Sequence, residues 1–294
     1  MLIAGDARVD RAQEAYRRCA ELITQADGLL ITAGAGFGVD SGLPDFRGTQ
    51  GFWRAYPALG RARIPFELIA NPAAFARDPQ LAWGFYGHRL SLYRAIVPHP
   101  GFEILRRIGE RLPDGAFVFT SNVDGQFQKA GFDSGRIVEC HGSIHHQQCC
   151  VPCGESIWAA DALEPDVDAE TCRLRSVLPA CPQCSALARP NILMFGDWQW
   201  CEARSTAQQA RLGAWRQRVE RLLVIEVGAG TAVPTVRRLG ESLSVPLIRI
   251  NPDAPHLEGA RGVALGENAL VALRGIAQAL RESGWDTGSA LDGA

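Results

Sequence analysis

The sequence has no large excess of charge of either sign and no long hydrophobic segment. Its 294 residues carry 30 basic and 32 acidic side chains, a net charge of -2. The net charge therefore does not indicate binding to nucleic acid. No apolar run reaches the roughly 18 residues of a membrane span, and the opening MLIAGDARVD lacks the basic head and long apolar middle of a secretory signal. We expect a soluble, cytoplasmic protein that binds neither nucleic acid nor membranes directly.

Hydrophobic residues make up 47% of the chain, enough for one sizeable core or for one core with a small appended module. The nine cysteines are an odd number, and five of them fall into two tight clusters. In a reducing compartment such clusters favour a metal site over disulfides. The clustered cysteines are Cys149, Cys150, Cys153, Cys181 and Cys184.

Four short apolar runs predict buried parallel strands, at residues 29–32, 116–120, 222–227 and 246–251. The segments between them are long enough for helices, which predicts an α/β fold: a Rossmann-like parallel sheet with helices on both faces. Asp10 and Gln13 have the spacing of a capping box that would start the first helix. Ligands of open α/β sheets bind at the carboxyl ends of the strands, so the site is expected there.

Two insertions interrupt the strand and helix pattern. Residues 49–98 are rich in aromatic residues and helical in character, whereas residues 140–187 are cysteine-rich and loop-like, with too few apolar residues for a core of their own. The Rossmann-like part would comprise about residues 10–48, 99–139 and 188–283. We therefore expect a single domain over residues 1–294, with a helical insertion and a small metal-binding module.

The segment GAGFG follows the first predicted strand and offers backbone N–H groups that no side chain obstructs, so a diphosphate could approach closely. The dinucleotide fingerprint G-x-G-x-x-G is only partly present: Gly34 and Gly36 fit, but Val39 stands at the third glycine. An ordinary tight turn is the alternative. The acid that binds a ribose about 20 residues further on in dehydrogenases has no clear equivalent, which speaks against hydride transfer.

The next residues, GLPDFRG, place an acid, an aromatic and an arginine beside the same strand end, a composition more typical of functional loops than of polar turns. The whole stretch GAGFGVDSGLPDFRG resembles the cofactor loop of the sirtuins, the NAD-dependent protein deacylases, whose pattern is GAG, a short variable run and GIPDFR. Further motifs follow in the family's order over nearly the whole chain: TSNVDGQFQKAG, HGS, the cysteine pairs, ARPNILMFGD, VIEVGAGTAVP and IRIN.

The resemblance implies an NAD-dependent protein deacylase of the acyltransferase class, acting on an acyl-lysine protein or peptide. The acyl-lysine amide oxygen would attack the ribose carbon of NAD as nicotinamide leaves. His141 would help to deprotonate a ribose hydroxyl, a role that suits its ordinary pKa near 6.5, and water would complete transfer of the acyl group to ADP-ribose. Asn122 and Asp124 would orient the nicotinamide ribose and a water, although either could instead cap the following helix.

The same resemblance implies that NAD contacts the loops at several strand ends. Asp45 and its neighbours would hold the carboxamide, Phe46 would shield the reaction intermediate, and Arg47 would face the phosphates, where its fixed fork suits an anion. The expected cofactor-binding residues are Gly34, Ala35, Gly36, Asp45, Phe46, Arg47, Ser121, Asn122, Asp124, Gly228, Ala229, Gly230, Asn251 and Ala269.

Cys181 and Cys184 form a two-residue knuckle, and paired knuckles are typical of a closed, tetrahedral structural zinc site. In the earlier cluster either Cys149 or Cys150 could pair with Cys153. The family's spacing from the catalytic histidine assigns Cys149, with Cys150 as the alternative. A group of reduced thiols without metal is a poor explanation, because the loop-rich segment has no other source of stability. The expected ligands are Cys149, Cys153, Cys181 and Cys184.

Tyr86 and Arg89 are three residues apart and would share a helix face. Some sirtuins carry a Tyr-x-x-Arg pair at the equivalent place, where it binds the carboxylate of succinyl, malonyl or glutaryl lysine. The resemblance thus implies a deacetylase, or a desuccinylase or demalonylase, although such a pair also commonly packs and faces solvent. Phe195 and Gly196 would bind the substrate peptide, and the tryptophans at 198 and 200 crowd that place.

Three positions depart from the family pattern: Gly38 and Gly230 replace serines, and Ser121 replaces a glutamine. Each change removes a hydrogen-bonding side chain near NAD, so we expect a cost in cofactor affinity or in nicotinamide placement. Two alternative functions stay open. The first is an NAD glycohydrolase or ADP-ribosyltransferase that uses the same pocket, and the second is a non-catalytic NAD sensor, which the intact catalytic array disfavours.

Overall fold

The computed structural model of the protein describes residues 3–44, 48–151, 153–257 and 261–285, with the backbone alone described for residues 3–10 and 48–49. The strands in these ranges are β1 (Gly28–Ala33), β2 (Gly115–Thr120), β3 (Ile137–Glu139), β4 (Gly142–Cys149), β5 (Ile157–Ala159), β6 (Val167–Asp168), β7 (Arg173–Leu174), β8 (Ala188–Ile192), β9 (Leu222–Val227), β10 (Leu247–Ile250) and β11 (Gly262–Leu265).

The α-helices in the same ranges are α1 (Ile3–Thr24), α2 (Gly48–Ala55), α3 (Pro57–Arg61), α4 (Phe66–Ile69), α5 (Pro72–Arg77), α6 (Pro79–Ala95), α7 (Pro100–Arg111), α8 (Gln126–Lys129), α9 (Ala203–Arg216), α10 (Thr235–Ser242) and α11 (Ala269–Glu282). Two 3₁₀ helices span Ala35–Ser41 and Ser134–Arg136. None of these described helices has both the length and the apolar character needed to cross a lipid bilayer.

Six of the described strands form one parallel sheet in the order β11-β10-β9-β1-β2-β3. The chain begins at the centre of this sheet, moves outward to β3 on one side, and returns to build β9, β10 and β11 on the other. This is the strand order of a Rossmann fold. The direction of winding reverses between β1 and β9, and ligands of such sheets bind beyond the carboxyl ends of the strands at that switch point.

Helices cover both faces of the parallel sheet. Successive side chains of a strand point to opposite faces, and Ile31 belongs to the apolar cluster that includes α1, α7 and α11, whereas Leu30 belongs to the cluster that includes α9 and α10. The predicted α/β fold is confirmed, and all four predicted strands are present within one residue at each end. The capping box predicted at Asp10 is wrong, because that residue lies inside α1, which begins at Ile3.

The helical insertion and the cysteine-rich segment share a second core. Trp83, Phe85 and Tyr86 of α6 pack in one buried cluster with Ile144 of β4 and Ile192 of β8. The cysteine-rich segment was expected to be loop-like, but it contains an antiparallel sheet, β5-β4-β8, and the hairpin of β6 and β7. Since β8 pairs with β4, the small sheet extends beyond residue 187.

The two sheets are joined by a very short connection. Only Cys140 and His141 lie between β3 of the parallel sheet and β4 of the small sheet. Gly142 follows with a φ of 78°, and a Cβ atom at this position would lie 2.0 Å from the carbonyl oxygen of Asn191. Glycine is therefore required both by the backbone conformation and by the close approach of β8, which explains the glycine after His141.

Candidate functional site

Two glycine loops meet at the switch point of the sheet. The N–H of Gly36 donates to the carbonyl oxygen of Gly228 at 3.0 Å. A Cβ atom on Gly34 would lie 2.7 Å from that same oxygen, and one on Gly228 would lie 2.1 Å from the nitrogen of Phe37. These glycines are therefore required for the loops after β1 and β9 to pack against each other, whether or not a ligand is bound.

The two loops border a cavity that includes the start of α11. Leu270 donates its N–H to the carboxylate of Asp40 at 2.8 Å, so the 3₁₀ helix after β1 is bonded directly to the amino end of α11. A helix N-terminus favours an anionic group, and here the carboxylate of Asp40 already occupies one of its N–H groups. The lining residues include three of the expected cofactor contacts and are Gly36, Val39, Asp40, Gly228, Ile250, Pro252, Asp253, Asn268 and Ala269.

Asn122 ties the end of β2 to the first glycine loop. Its Nδ2 donates to the carbonyl oxygen of Gly34 at 3.1 Å, and its N–H donates to the hydroxyl of Thr120 at 3.0 Å. The N–H of Ser121 donates to Ala33 at 3.2 Å. The expected residues Ser121 and Asn122 are thus brought to the same edge of the sheet as Gly34 and Ala35.

Asn251 makes the corresponding connection on the other side. This side chain is 5% exposed. Its Nδ2 donates to the carbonyl oxygen of Ala229 at 2.8 Å, and its Oδ1 accepts from the N–H groups of Asp253 and Ala254, both at 3.0 Å. Both ends of the amide are engaged within the chain, so Asn251 fixes the turn after β10 to the second glycine loop, between the cavity-lining residues Ile250 and Pro252.

Asp124 is a buried carboxyl group, 8% exposed. Its Oδ1 accepts from the N–H of Gln126 at 2.9 Å at the start of α8, which is the helix-capping contact considered above. Burial raises the pKa of Asp124 to about 6, although the Gln126 N–H partly opposes the shift. The ring of His145 approaches the backbone carbonyl of Asp124 at 2.9 Å, a contact that the sequence did not suggest.

His141 lies between the two sheets, half-buried. Its Nε2 is 3.4 Å from the hydroxyl of Thr235 at the start of α10, and its carbonyl oxygen accepts from the N–H of Leu193 at 2.9 Å. Burial lowers the pKa of His141 below its ordinary value. The imidazole is therefore neutral at pH 7 and able to accept a proton.

Tyr86 and Arg89 lie on α6 and are both buried. Nε and Nη2 of Arg89 donate to the hydroxyl of Tyr93 at 2.9 and 2.6 Å, and the guanidinium carbon lies 5.3 Å from the ring centroids of Phe85 and Tyr93. Tyr86 stacks on Phe75, with the ring centroids 5.7 Å apart. The arginine is therefore a buried cation among aromatic rings. Tyr93, which lies four residues after Arg89 on the same helix, is a hydrogen-bond partner that the sequence did not reveal.

The segment after β8 carries Phe195 and Gly196. Phe195 is 40% exposed, donates its N–H to Ala70 at 2.9 Å, and meets the ring of Phe66 edge-on at 5.8 Å. Gly196 has a φ of 65° and turns the chain. Behind the turn, the carboxylate of Asp197 is paired with the buried guanidinium of Arg189, an interaction that no sequence motif identified.

The four sulfur atoms of Cys149, Cys153, Cys181 and Cys184 lie within 4.8 Å of one another. The Sγ atoms of Cys149 and Cys184 are 3.6 Å apart, as are those of Cys153 and Cys181. Tetrahedral zinc with bonds of about 2.3 Å places its sulfur ligands roughly 3.8 Å apart, so this group fits a closed zinc site. Cys150, the alternative ligand, is not part of the group.

Asp45, Phe46 and Arg47 lie outside the described residues, so their expected roles stay predictions.

Two of the departures from the sirtuin pattern, Gly38 and Gly230, differ in the space around them. A Cβ atom on Gly38 would lie 2.9 Å from Cδ1 of Leu43, whereas one on Gly230 would meet nothing within 4 Å. Leu43 therefore occupies the space of a side chain at position 38, while position 230 is open.

Known proteins resemble the chain in sequence and in fold. The model of the Sir2 family matches residues 34–228. An NAD-dependent protein deacylase of Deinococcus radiodurans is 33% identical over 250 residues, which cover 82% of this chain and 89% of that protein. One of Aquifex aeolicus is 27% identical over 256 residues, covering 86% and 95%.

A Sir2 homologue solved as an NAD complex has the same fold. It superposes with a TM-score of 0.67 at 24% identity, over 90% of this chain and 94% of that chain. The family match begins at Gly34 in the first glycine loop, includes Cys149, Cys153, Cys181 and Cys184, and ends at Gly228, the first residue of the second glycine loop. The chain belongs to the Sir2 family.

Proposed function

We propose that this protein is an NAD-dependent protein-lysine deacylase that transfers the acyl group to ADP-ribose and releases nicotinamide. The observation that carries the proposal is the convergence of the strand ends: Asn122 is bonded to the Gly34 loop, and His141 contacts Thr235 just after the second glycine loop. Membership of the Sir2 family and relatives named NAD-dependent protein deacylases support the same activity.

Bound NAD supplies the glycosidic bond that breaks and the ribose hydroxyl that receives the acyl group. The chain holds it with the backbone of the loops around Gly34, Gly36 and Gly228, where no side chain blocks approach. Ala35, Ala229 and Gly230 belong to the same loops, and Ala269 adds the amino end of α11. Asp45, Phe46 and Arg47 are proposed to cover the reactive end.

His141 is the proposed general base. Because burial lowers its pKa, its ring is neutral at pH 7 and a ring nitrogen can take a proton from a ribose hydroxyl. Asp124, with a pKa of about 6, is ionised at the same pH and can orient a water or a hydroxyl. Asn122 holds the loop beside them and presents its amide to the ribose.

Zinc is structural in this proposal. Cys149, Cys153, Cys181 and Cys184 supply four thiolates, which fill a tetrahedral coordination sphere and leave no open position for substrate. The metal would fix the end of β4 to the knuckle that precedes β8. It therefore stabilises the small sheet and takes no part in acyl transfer.

We further propose that Tyr86 and Arg89 receive the carboxylate of an acidic acyl group, with Phe195 and Gly196 beside the peptide. The support is the burial of a fixed cation on α6 among aromatic residues. A carboxylate binds a guanidinium more strongly in such a desolvated place than at the surface. A succinyl, malonyl or glutaryl lysine would then react faster than acetyl lysine.

The test is to incubate the purified protein with NAD and peptides that carry acetyl, succinyl or glutaryl lysine, and to follow nicotinamide release and deacylation together. We expect both products in equal amounts, with His141→Ala inactive and the exposed His256→Ala unaffected. Arg89→Met should reduce turnover of succinyl and glutaryl peptides more than that of the acetyl peptide. Nicotinamide release without deacylation would identify a glycohydrolase or ADP-ribosyltransferase instead, and no release would identify a sensor.

A further inference from the structure

We propose that Trp198 is a specificity residue that packs against an apolar side chain of the substrate peptide next to the acyl-lysine. This inference rests on the proposed deacylase function. It concerns the residues of the peptide that flank the reacting lysine, and it assigns one exposed indole to their recognition.

The position of the segment that leads to Trp198 supports this assignment. The N–H of Leu193 donates to the carbonyl oxygen of His141 at 2.9 Å, so this segment begins beside the proposed general base. Met194 is buried, while Leu193 and Phe195 on either side of it are 38% and 40% exposed. Two exposed apolar side chains, Leu193 and Phe195, therefore lie in the segment between β8 and the turn at Gly196.

The backbone around Trp198 is held in place by hydrogen bonds and an ion pair. The residue before it, Asp197, has a fully buried carboxylate that is paired with Arg189 and also accepts the N–H of Gln199 at 3.1 Å. The residue after it, Gln199, accepts a hydrogen bond at its carbonyl oxygen from Nε2 of Gln148 at 2.8 Å. The indole is thus attached to a backbone that is anchored on both sides.

Trp198 also stands out by its exposure to solvent. The side chain of Trp198 is 97% exposed, whereas the indole nitrogen of Trp200 is buried within the fold. The two tryptophans that follow β8 therefore differ in exposure: Trp198 is almost fully available to a partner, whereas Trp200 is partly buried. Large aromatic side chains on a preorganised backbone contribute most of the energy of many interfaces, because little entropy is lost when they bind.

The occupant is assigned as an apolar peptide side chain because Leu193 and Phe195, the exposed large side chains that precede Trp198 after β8, are apolar. The acid next to Trp198 is already paired with Arg189. A leucine or phenylalanine beside the acyl-lysine would cover the indole and this surface together.

The experiment compares two substrates in the presence of NAD: a peptide with leucine or phenylalanine on both sides of the acyl-lysine, and a single acyl-lysine blocked at both ends. Trp198→Ala should lower kcat/KM for the peptide about tenfold, mainly through KM, and leave the blocked amino acid unchanged. Trp198→Phe should retain most of the peptide activity, and Val97→Ala, at a residue 74% exposed, should change neither substrate.

An equal loss on both substrates, or no loss on the peptide, would overturn the assignment. A third substrate, a peptide with arginine or lysine on both sides of the acyl-lysine, tests the occupant: a larger loss on this peptide than on the apolar one would overturn the apolar assignment. If the wild-type protein deacylates none of these substrates, the proposed function itself has failed, and that result is distinct from all of the others.

Discussion

The guanidinium of Arg189 donates two hydrogen bonds to the carboxylate of Asp197, at 2.7 and 2.9 Å, with both side chains removed from solvent. The pair connects the beginning of β8 to the turn that follows this strand. Asp197 also accepts from the N–H of Gln199, so one buried carboxylate fixes the turn that carries Gly196 and Trp198. The geometry of the proposed peptide surface therefore depends on an ion pair beneath it.

Asp197→Asn should lower the free energy of unfolding by roughly 3–5 kcal/mol, because the buried charge of Arg189 would lose its counter-ion. Chemical denaturation monitored by fluorescence measures this change. The control is Glu14→Gln in the exposed pair with Arg17, whose side chains are 62% and 59% exposed, where the expected effect is below about 1 kcal/mol. Similar effects at the two sites would show that burial does not set the strength of the Asp197 pair.

Gly34→Ala should destabilise the protein by roughly 1–3 kcal/mol and abolish nicotinamide release, because the new methyl group would push the two glycine loops apart. Gly230→Ala should be tolerated, since the space beside Gly230 is open. Thermal unfolding and the NAD-dependent assay together test the pair. Gly230→Ser, which restores the residue of the sirtuin pattern, should lower the KM for NAD, and an unchanged KM would count against the cost expected from this departure.

Asp124→Asn should make the protein more stable at pH 8 while reducing deacylation. The pKa of about 6 in the folded protein lies above the value of about 3.9 for an unfolded chain, so the folded state favours the protonated carboxyl. The penalty is absent below about pH 4, grows as the pH rises through 6, and reaches up to about 3 kcal/mol. Asparagine keeps the oxygen that accepts the Gln126 N–H.

Unfolding of the wild type and of Asp124→Asn at pH 4, 6 and 8 tests this expectation. The difference between them should be largest at pH 8 and close to zero at pH 4. A difference that does not change with pH would mean that the ionisation of Asp124 is not its cause.

Cys181→Ser should remove the bound zinc and destabilise the small sheet, since a structural zinc site contributes folding energy directly. Metal analysis of the wild type should give one zinc per chain. The matched control is Cys150→Ser, which changes the neighbour of a ligand and should retain the metal. Full zinc content in Cys181→Ser would contradict the ligand assignment, and loss of zinc in Cys150→Ser would favour the alternative ligand.

The strands that the sequence predicted are those whose burial leaves the clearest apolar pattern in the sequence. β1 and β9 are buried on both faces, so most of their residues are apolar, with Thr32 and Glu226 as the polar exceptions. β3 and β11 lie at the two ends of the sheet and have three and four residues, too few to separate a strand from a loop. The position of the site followed from the fold, because parallel strands bring their carboxyl ends to one edge.

The contacts that the sequence did not predict join residues with no periodic relation. Arg189 and Asp197 meet through a turn, and Glu226 and Arg249 meet because β9 and β10 are paired in that register. For the glycines, the sequence did not reveal the structural reason for their presence. Sequence reasoning assigned them to cofactor access, but Gly34 and Gly228 are required already by the contact between their loops, and only tertiary structure distinguishes the two causes.

The two-residue connection between β3 and β4 places His141 directly between the large sheet and the small sheet. Two residues span at most about 7 Å even when fully extended, so the small sheet cannot shift along the large one without displacing the histidine. The neighbours of His141 on both sides, Thr235 after the second glycine loop and Leu193 after β8, belong to different parts of the fold. The imidazole is thus correctly placed only when the zinc-binding half and the nucleotide-binding half are docked, which makes correct assembly of the chain a condition of its chemistry.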